Sequence, residues 1–571
     1  SYGYRIGQMD GIFQRGNRIQ LKDVVVQNHH FDVKGSNFIW RSYISLENTG
    51  KSYNLKPLAD NLDLNNGSNA QWGARYQTEL QNQINAGTDL ATAHQIARQI
   101  ADQGRVEPGT AAFDQLKNTI TNTNNWDIAV NVPGAPIRGG AALWQRSRMY
   151  HSEFQYDLTP FTSKYIDVLV GADFRSYEVI PDGNNFVDFT KPLNERNTPG
   201  GNNIYYTKYG AFIQGTRKLL NDKLKLIGSL RYDHNLSFAP ILNPRVAAVY
   251  TLAEKHNFRV TFQNGYRFPA LFEALSYVNN GQVRRVGGLE GINNGLGFND
   301  NSYTLNSITA YQSAVNADVA QGVNRAQAAL DPQNSRLLQK TNLASLKPDH
   351  IVVLVVGYKS ILFNNKLVVD WDVYLNQYSG FLGQVEVAVP TSGKVGSDEA
   401  ILDMLSRQNQ TRYRVFTNAQ NRYTNYGSGL SLTYNFYQKY TIGGNINYNA
   451  LDAQTKNDLF ITAFNTPKWA FNASFGNREI LPNFGFNIVG KWQDSFLWQS
   501  PLVDGTVPAY WNVDAQVSYK IPKYFTSIKL GGANIFNSQY IQYAAGPTIG
   551  ALYYAAITVD GLFNKTKQQP Q

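Results

Sequence analysis

Strand-length stretches in which apolar and polar residues alternate recur along the whole chain. In one of them, every second position is apolar: Trp511, Val513, Ala515, Val517, Tyr519 and Ile521. The positions between them are polar: Asn512, Asp514, Gln516, Ser518 and Lys520. Because a period of two puts each set on its own face of a β-strand, the sequence predicts strands with one apolar and one polar face.

Two architectures can hold such strands. In a soluble sandwich the apolar face packs on a second sheet, whereas in an outer-membrane barrel it faces lipid and the polar face lines a lumen. The 571-residue chain has no Pro/Ser-rich linker to divide it into several soluble domains. Its longest aliphatic run, residues 351–356, is far shorter than the ~20 residues of a membrane helix, but a barrel strand needs only ~9–11. The pattern therefore favours an all-β, transmembrane antiparallel β-barrel.

The predicted strands and connections support this interpretation. We predict about eighteen strands between residues 4 and 561, including one at 413–437 and one at 483–498. Tight turns such as Asn221-Asp222 and Asn364-Asn365 alternate with long connections, namely 48–142, 181–203, 269–346, 380–412 and 451–467. Short turns at one end and long extracellular loops at the other are typical of outer-membrane barrels. Short helices are predicted within the loops, at 88–102, 110–120, 307–330 and 397–407.

Four motifs resemble the TonB-dependent receptors of the Gram-negative outer membrane. The segment Gly265-Tyr266-Arg267-Phe268-Pro269-Ala270-Leu271-Phe272-Glu273 resembles the strand-to-loop signature of their barrels. Asn243-Pro244-Arg245 resembles the preceding strand, and Leu346-Lys347-Pro348-Asp349 resembles the entry to the following one. Asn534-Ile535-Phe536-Asn537 with Tyr540 resembles the motif before the last strand. The resemblance covers most of the chain, from about residue 37 to residue 563.

The resemblance implies a 22-stranded barrel, closed by an N-terminal plug, that imports scarce nutrients with force from a periplasmic TonB-type energy-coupling protein. The sequence shows neither a plug-like domain nor a motif for that partner before the first strand, and our strand count is four short. We therefore expect residues 1–563 to be the barrel, without its first strands and plug, followed by a C-terminal tail at 564–571. A natural plug-less relative is the alternative.

The resemblance and the strand pattern together suggest the candidate site residues. The family signature implies that four residues brace the plug or a loop: Arg245, Arg267, Glu273 and Asn534. Charged residues predicted on the polar strand faces would line the lumen: Asp167, Asp173, Arg175, Arg231, Asp233, Lys491 and Asp514. Arg284 and Arg285 form a tight basic pair in a long loop and are candidates for ligand contact. No catalytic, metal or cofactor site is predicted.

Other motifs carry little chemistry. The seven histidines lack metal-ligand spacing, and no Gly-x-Ser-x-Gly elbow is present, so we predict that the chain is not an enzyme. Asn61, Asp63 and Asn65 have the spacing of a calcium loop, but Trp72 stands where the closing Glu is needed. The Gly-rich run at 287–297 lacks the Lys-Ser/Thr of a phosphate loop and is more consistent with a mobile turn.

The net charge of +10 is spread along the chain, which does not favour nucleic acid as a partner. Dispersed basic residues on an outer-membrane rim match the phosphates of lipopolysaccharide better. We therefore predict an outer-membrane receptor that imports a siderophore, cobalamin, an oligosaccharide or a peptide. A passive porin, or a scaffold barrel with a surface lipoprotein partner, is the alternative. The sequence does not identify the cargo.

Overall fold

The computed structural model describes residues 1–14, 18–123, 140–143, 145–180, 186, 203–279, 283–293, 295–437, 439–453, 463–500 and 503–559. The strands in chain order are β1 (Tyr2–Gln14), β2 (Arg18–Lys34), β3 (Phe38–Asn48), β4 (Tyr53–Asn54), β5 (Arg146–Asp157), β6 (Asp167–Ile180), β7 (Ile204–Leu219), β8 (Leu224–Asn235), β9 (Ile241–Leu252), β10 (His256–Arg267), β11 (Tyr277–Asn279), β12 (Arg284–Val286), β13 (Tyr303–Thr304), β14 (Asp349–Leu362), β15 (Leu367–Ser379), β16 (Leu382–Pro390), β17 (Gln410–Asn418), β18 (Tyr423–Phe436), β19 (Tyr440–Ala453), β20 (Trp469–Leu481), β21 (Phe484–Gln493), β22 (Phe496–Trp498), β23 (Gly505–Val507), β24 (Tyr510–Ile521), β25 (Thr526–Ala533) and β26 (Leu552–Val559).

Short helices lie in the connections between these strands. The α-helices are α1 (Leu55–Asn65), α2 (Asn69–Asn85), α3 (Leu90–Asp102), α4 (Ala111–Thr121), α5 (Thr159–Thr162), α6 (Leu271–Leu275), α7 (Leu305–Ala320), α8 (Arg325–Leu330), α9 (Pro332–Ser335) and α10 (Asp398–Asp403). Single turns of 3-10 helix lie at Glu290–Asn293, Arg407–Asn409 and Pro522–Tyr524. Within the described residues, no helix combines the length and apolarity needed to cross a membrane.

Most strands belong to one antiparallel sheet. Eighteen long strands pair with their neighbours in chain order, from β1–β2 to β25–β26, and β4 adds a short pairing to β2. The count of about eighteen strands is therefore confirmed. Two predicted boundaries are wrong. The stretch 413–437 is divided between β17 and β18, and 483–498 between β21 and β22, because the chain stays extended while its pairing partner changes.

The apolar face of this sheet is uncovered. On β24, Trp511 is 60% exposed and Tyr519 49% exposed, and large apolar side chains on the other long strands are exposed in the same way. In a soluble sandwich these residues would be buried under a second sheet. An apolar surface of this size, on strands whose other face is polar, is the arrangement of a sheet that faces lipid. The soluble-sandwich alternative is therefore wrong.

The turn chemistry follows the prediction. Asn221, Asp222, Asn364 and Asn365 have positive φ values between 54° and 66°, which Asn and Asp tolerate better than most residues. These turns join β7 to β8 and β14 to β15 at one end of the sheet. The long connections leave the opposite end, which we call the loop end. The described part of the sheet thus has the predicted alternation of short and long connections.

The helices of the first long loop were predicted in part. The predictions at 88–102 and 110–120 are confirmed by α3 and α4, whose N-caps are Asp89 and Thr110. Helices α1 and α2 were missed, although Ser68 and Gln71 form a capping box at the start of α2. The calcium-loop spacing of Asn61, Asp63 and Asn65 lies on α1, and Asp63 Oδ1 instead accepts a hydrogen bond from the Asn69 N–H at 2.7 Å.

Two other loops fold together into one packed unit. We call residues 269–348 and 380–422 the loop unit. It contains a five-stranded sheet in the order β11-β12-β17-β16-β13, in which β12 and β17 are parallel. One face of this sheet packs around Phe298, Tyr413 and Val415, and the other packs around Tyr311 and Met404. These loops are therefore a small domain-like body with its own core.

The loop unit differs from prediction in two details. The helix predicted at 307–330 is two helices, α7 and α8, separated by a turn in which Gly322 has a φ of +94°. The Gly-rich run at 287–297, expected to be a mobile turn, instead supplies buried residues to the core, including Ile292 and Leu296. The helix break is a local turn at Gly322, whereas the burial of Ile292 and Leu296 depends on packing between distant loops, which periodicity does not show.

Candidate functional site

An ion-pair network lies where β10 passes into the loop unit. Pro269 cannot donate to the strand ladder, so β10 ends at Arg267 and the chain turns into α6. Arg267 Nη1 donates to both carboxylate oxygens of Glu273, at 3.0 and 2.9 Å, and Arg267 Nε donates to Asp349 Oδ2 at 3.2 Å. Glu273 also accepts the Ala270 N–H at 2.7 Å. The network joins the end of β10, the start of β14 and the base of the loop unit.

The other two signature residues lie apart from this network. Asn534, at the end of β25, has a φ of +51° and is almost fully buried. Its side chain donates to the Ser538 carbonyl at 2.7 Å and accepts the Ser538 N–H at 3.1 Å. Arg245 is on β9, opposite Ser229 of β8 and Gln263 of β10, and it has no acidic partner among the described residues. The structure therefore places Asn534 in a turn and leaves Arg245 available to another segment.

Predicted lumen residues form a cluster on the polar face of the sheet. Arg231 on β8 lies 2.5 Å from Asp173 on β6, and its Nε donates to Asp233 at 2.8 Å. By register, Gly210 of β7 lies between Asp173 and Asp233. A Cβ added at Gly210 would be 2.5 Å from Arg231 Nη2. The guanidinium thus crosses the intervening strand over a glycine, which ties together strands that are not neighbours.

The same arrangement recurs on the polar face. Arg259 on β10 crosses Gly357 of β14 and lies 3.5 Å from Asp370 and 3.7 Å from Asp372 on β15. Tyr374 crosses Gly427 of β18, and its hydroxyl donates to Asn449 of β19 at 2.9 Å. Long side chains that lie flat over glycine narrow the interior less than side chains that project from it. Sequence analysis missed these glycines, because their meaning depends on the register of three strands.

Gly210→Val is expected to separate Arg231 from Asp173. The new side chain would occupy the space through which the guanidinium passes, so both acids would lose their partner. We expect a loss of about 1–3 kcal/mol of stability. The measurement is the temperature at which the heat-modifiable band unfolds on SDS gels. Gly228→Val is the matched control, since nothing lies within 4 Å of a Cβ at that position, and equal destabilisation by both variants would contradict the prediction.

The other predicted lumen residues do not belong to the Arg231 cluster. Arg175 on β6 donates to His151 Nδ1 at 3.1 Å and to the Tyr43 hydroxyl at 3.4 Å. Lys491 and Asp514 form an ion pair between β21 and β24, and Asp514 also accepts the Asn534 N–H at 2.9 Å. Asp167 is at the first position of β6 and has no ion-pair partner among the described residues. The polar face therefore holds the Arg231 cluster, Arg175 with its two partners and the Lys491–Asp514 pair, with Asp167 apart from all three.

The loop candidates Arg284 and Arg285 are packed within the loop unit. Arg284 is 7% exposed, with its guanidinium 5.9 Å from the centre of the Tyr413 ring. Arg285 lies over the Phe272 ring at 5.2 Å. Burial, together with the charges of Arg412 and Arg284, lowers the pKa of Arg407 in the same unit. Their proposed ligand contact remains a prediction, and Arg285 is the more accessible of the pair.

Comparison with known proteins places the fold. A family model described as "TonB dependent receptor-like, beta-barrel" matches residues 16–537. Among solved structures, the FrpB iron transporter from Neisseria meningitidis (F3-3 variant) is 13% identical with a TM-score of 0.52, and covers 95% of this chain and 63% of its own. A mutant of the ferric enterobactin receptor PfeA from Pseudomonas aeruginosa is also 13% identical, with a TM-score of 0.53, and covers 95% and 61%. A search of curated protein sequences gave no match.

The family match and the structural similarities support different conclusions. At 13% identity the two solved structures show the fold alone, and the chain spans less than two thirds of the length of each. The family model covers most of the sequence and includes the Arg267–Glu273 signature and Asn534. Together with the eighteen-strand sheet and its uncovered apolar face, it confirms the predicted transmembrane barrel. The chain belongs to the TonB-dependent receptor-like β-barrel family.

Proposed function

We propose that this chain forms the barrel of a Gram-negative outer-membrane receptor that imports a scarce nutrient. The proposal depends chiefly on the family match over residues 16–537, which agrees with a sheet that is apolar outside and polar inside. The cargo is one of the four classes named above: a siderophore, cobalamin, an oligosaccharide or a peptide. In this proposal, a plug occupies the lumen, and a periplasmic TonB-type protein supplies the force that displaces it.

The inner wall supports the proposed contact with a plug. Charged groups from β2 to β15 form a belt of ion pairs and arginines, which can also pair with charges on a segment inside the lumen. Arg245 is the clearest candidate, because its guanidinium has no acidic partner among the described residues. The Arg267–Glu273–Asp349 network would hold the loop unit in place over the lumen while cargo binds. The barrel assignment from 560 to 563, and the tail at 564–571, lie outside the described residues.

Uptake by the full-length protein in its host tests the transport proposal. We expect growth on one of the four nutrients, supplied at limiting concentration, to require both the receptor and the TonB-type protein. Deletion of most of the loop unit, from 270 to 345 and from 381 to 421, should abolish that growth while the barrel still assembles. Growth that persists without the energy-coupling protein, with constant open conductance in a bilayer, would instead identify a passive porin.

Two further partners belong to the same proposal. Dispersed Lys and Arg residues are suited to the phosphates of lipopolysaccharide, and removal of those phosphates should weaken the association. The folded loop unit offers a surface for a lipoprotein, and a stable partner that copurifies with the full-length receptor would support that role. Copurification that survives deletion of the loop unit would place the lipoprotein contact elsewhere.

A further inference from the structure

The polar face of the barrel is divided into a charged part and an uncharged part. Between β2 and β15 it carries many ion pairs, including those of Arg41, Arg231 and Arg259. On β18, β19 and the paired part of β20, every position on this face is uncharged. We call these three strands the amide sector, because asparagines dominate their polar face: Asn425, Asn435, Asn445, Asn447, Asn449 and Asn472.

The asparagines form a hydrogen-bonded surface. At the loop end, Asn376 of β15 donates to Asn425 at 3.0 Å, and Asn425 donates to Asn449 at 2.6 Å. Farther along β19, Asn445 accepts from Asn472 of β20 at 3.0 Å and from Asn447 at 3.2 Å. Each amide has two donor hydrogens and an acceptor oxygen, so capacity remains after these bonds. The sector can therefore exchange hydrogen bonds with a solute without holding an ion.

A cavity of about 360 Å³ lies in the loop unit at the entrance to this sector. Two extended segments line it, residues 339–344 and residues 417–421, and the second leads directly into β18. Its polar lining is again mostly amide and hydroxyl groups: Gln339, Asn342, Thr417, Asn418, Gln420 and Asn421. The side-chain amides of Asn342 and Gln420 have no hydrogen-bonding partner among the described residues and are exposed.

The charge of the cavity is low. Lys340 is the single charged residue of its lining, and it also borders a neighbouring cavity of about 380 Å³ that contains Arg336. Leu343 and Val385 add an apolar part to the first cavity. Specific small-molecule sites combine an apolar wall with a few polar groups that fix orientation. An uncharged solute with many hydroxyl groups matches this lining, because each hydroxyl both donates and accepts hydrogen bonds.

We propose that this cavity binds an uncharged, hydroxyl-rich solute of the oligosaccharide class, and that the amide sector is the wall along which the same solute passes. The binding step stands on the cavity alone, whereas the passage rests on the proposed transport function. An anionic solute would find one lysine in the cavity and no cation on the polar face of β18, β19 and the paired part of β20. The charged sector remains available to a plug, so solute and plug would use different parts of the inner wall.

Binding to the full-length protein in detergent tests the first step. The probes are a set of neutral di- and trisaccharides of glucose, galactose, mannose and xylose, with ferric citrate as the anionic probe, followed by saturation-transfer NMR and calorimetry. We expect at least one saccharide to bind, and Asn342→Ala with Gln420→Ala to weaken it at least tenfold. Asn316→Ala with Gln327→Ala removes two exposed amides of α7 and α8 outside the cavity lining; it is the matched control and should change the saccharide affinity less than twofold.

Two results would overturn the binding step. One is the absence of any saccharide signal that responds to the Asn342→Ala/Gln420→Ala change. The other is ferric citrate binding in the cavity that Lys340→Gln removes. Uptake distinguishes the second step: Asn447→Lys should slow saccharide uptake at least tenfold with unchanged binding, while Thr261→Lys in the charged sector should not. Saccharide binding without any uptake would refute the transport proposal and leave the site intact.

Discussion

Tyr311→Ala is expected to unfold the loop unit while the barrel stays intact. Tyr311 of α7 is fully buried against α8 and α10, and its one hydroxyl proton is shared between the carbonyls of Ala329 at 3.3 Å and Ile401 at 3.2 Å. Truncation of a large buried aromatic leaves a cavity and costs about 3–5 kcal/mol. That cost is large for a body of this size, whose core is divided between two loops. Hydrogen exchange of α7 and α10 in the full-length protein measures it.

Tyr311→Phe separates the ring from the hydroxyl. It keeps the packing and removes the one hydroxyl proton that these two carbonyls share, so we expect a loss of only about 1 kcal/mol. Burial raises the pKa of Tyr311 to about 12, so the folded unit holds this proton more tightly than the unfolded chain does. In wild type, stability should therefore fall as pH rises between about 10 and 12, and this component should be absent in Tyr311→Phe. Wild-type exchange rates in Tyr311→Ala would contradict the assignment of this residue to the core.

The strands could be predicted because their periodicity is a local property. Each long strand alternates along its own sequence, as β24 does from Tyr510 to Ile521, whatever its neighbours are. The predicted strand boundaries were wrong where one extended segment pairs first with one strand and then with another. Residues 410–418 pair with β16 inside the loop unit, whereas residues 423–436 pair with β15 and β19 in the barrel. The alternation of apolar and polar residues predicts on which face of the strand a side chain lies, but it does not predict which strand pairs with it.

The candidate site shows the same division. Arg267 and Glu273 could be recognised because the motif holds both, six residues apart, and a turn at Pro269 brings them together. The partnership of Arg231 with Asp173 depends on Gly210, which lies on a third strand, and only the register shows it. The cavity near Asn342 required the folding of two distant loops into one body. Contacts within one short stretch of sequence could thus be predicted, whereas contacts that bring three separate segments together could not.

These features suggest separate roles for the two parts of the inner wall. Arginines that cross glycines lie flat on the charged sector. In the proposed function, this flat surface would suit repeated binding and release of a plug. The amide sector is held instead by hydrogen bonds between uncharged side chains, and Tyr374 of β15 lies over its Gly427 to reach Asn449. The loop unit lies over the entrance to this sector. In the proposed function, its attachment to the barrel would therefore decide whether a captured solute reaches the amide sector.

Arg267→Ala is expected to detach the base of the loop unit from the barrel. The Asp349 side chain is only 8% exposed, and its Oδ1 has no hydrogen-bonding partner among the described residues, so Arg267 is its main compensation. Loss of one partner from a buried pair costs about 3–5 kcal/mol, and the 51% exposure of Arg267 reduces this to about 2–3 kcal/mol. Faster hydrogen exchange at α6 and at residues 346–350, with β10 unchanged, would measure it.

Two comparisons isolate the cause of that effect. Arg259→Ala removes longer and more exposed contacts with Asp370 and Asp372, so we expect a loss below about 1 kcal/mol and little change at the loop end. Asp349→Asn combined with Arg267→Ala removes the buried charge itself and should recover part of the loss, as a double-mutant cycle would show. If the double variant is as unstable as the sum of the single variants, the network does not act through the charge of Asp349, and the attachment must depend on packing of α6 alone.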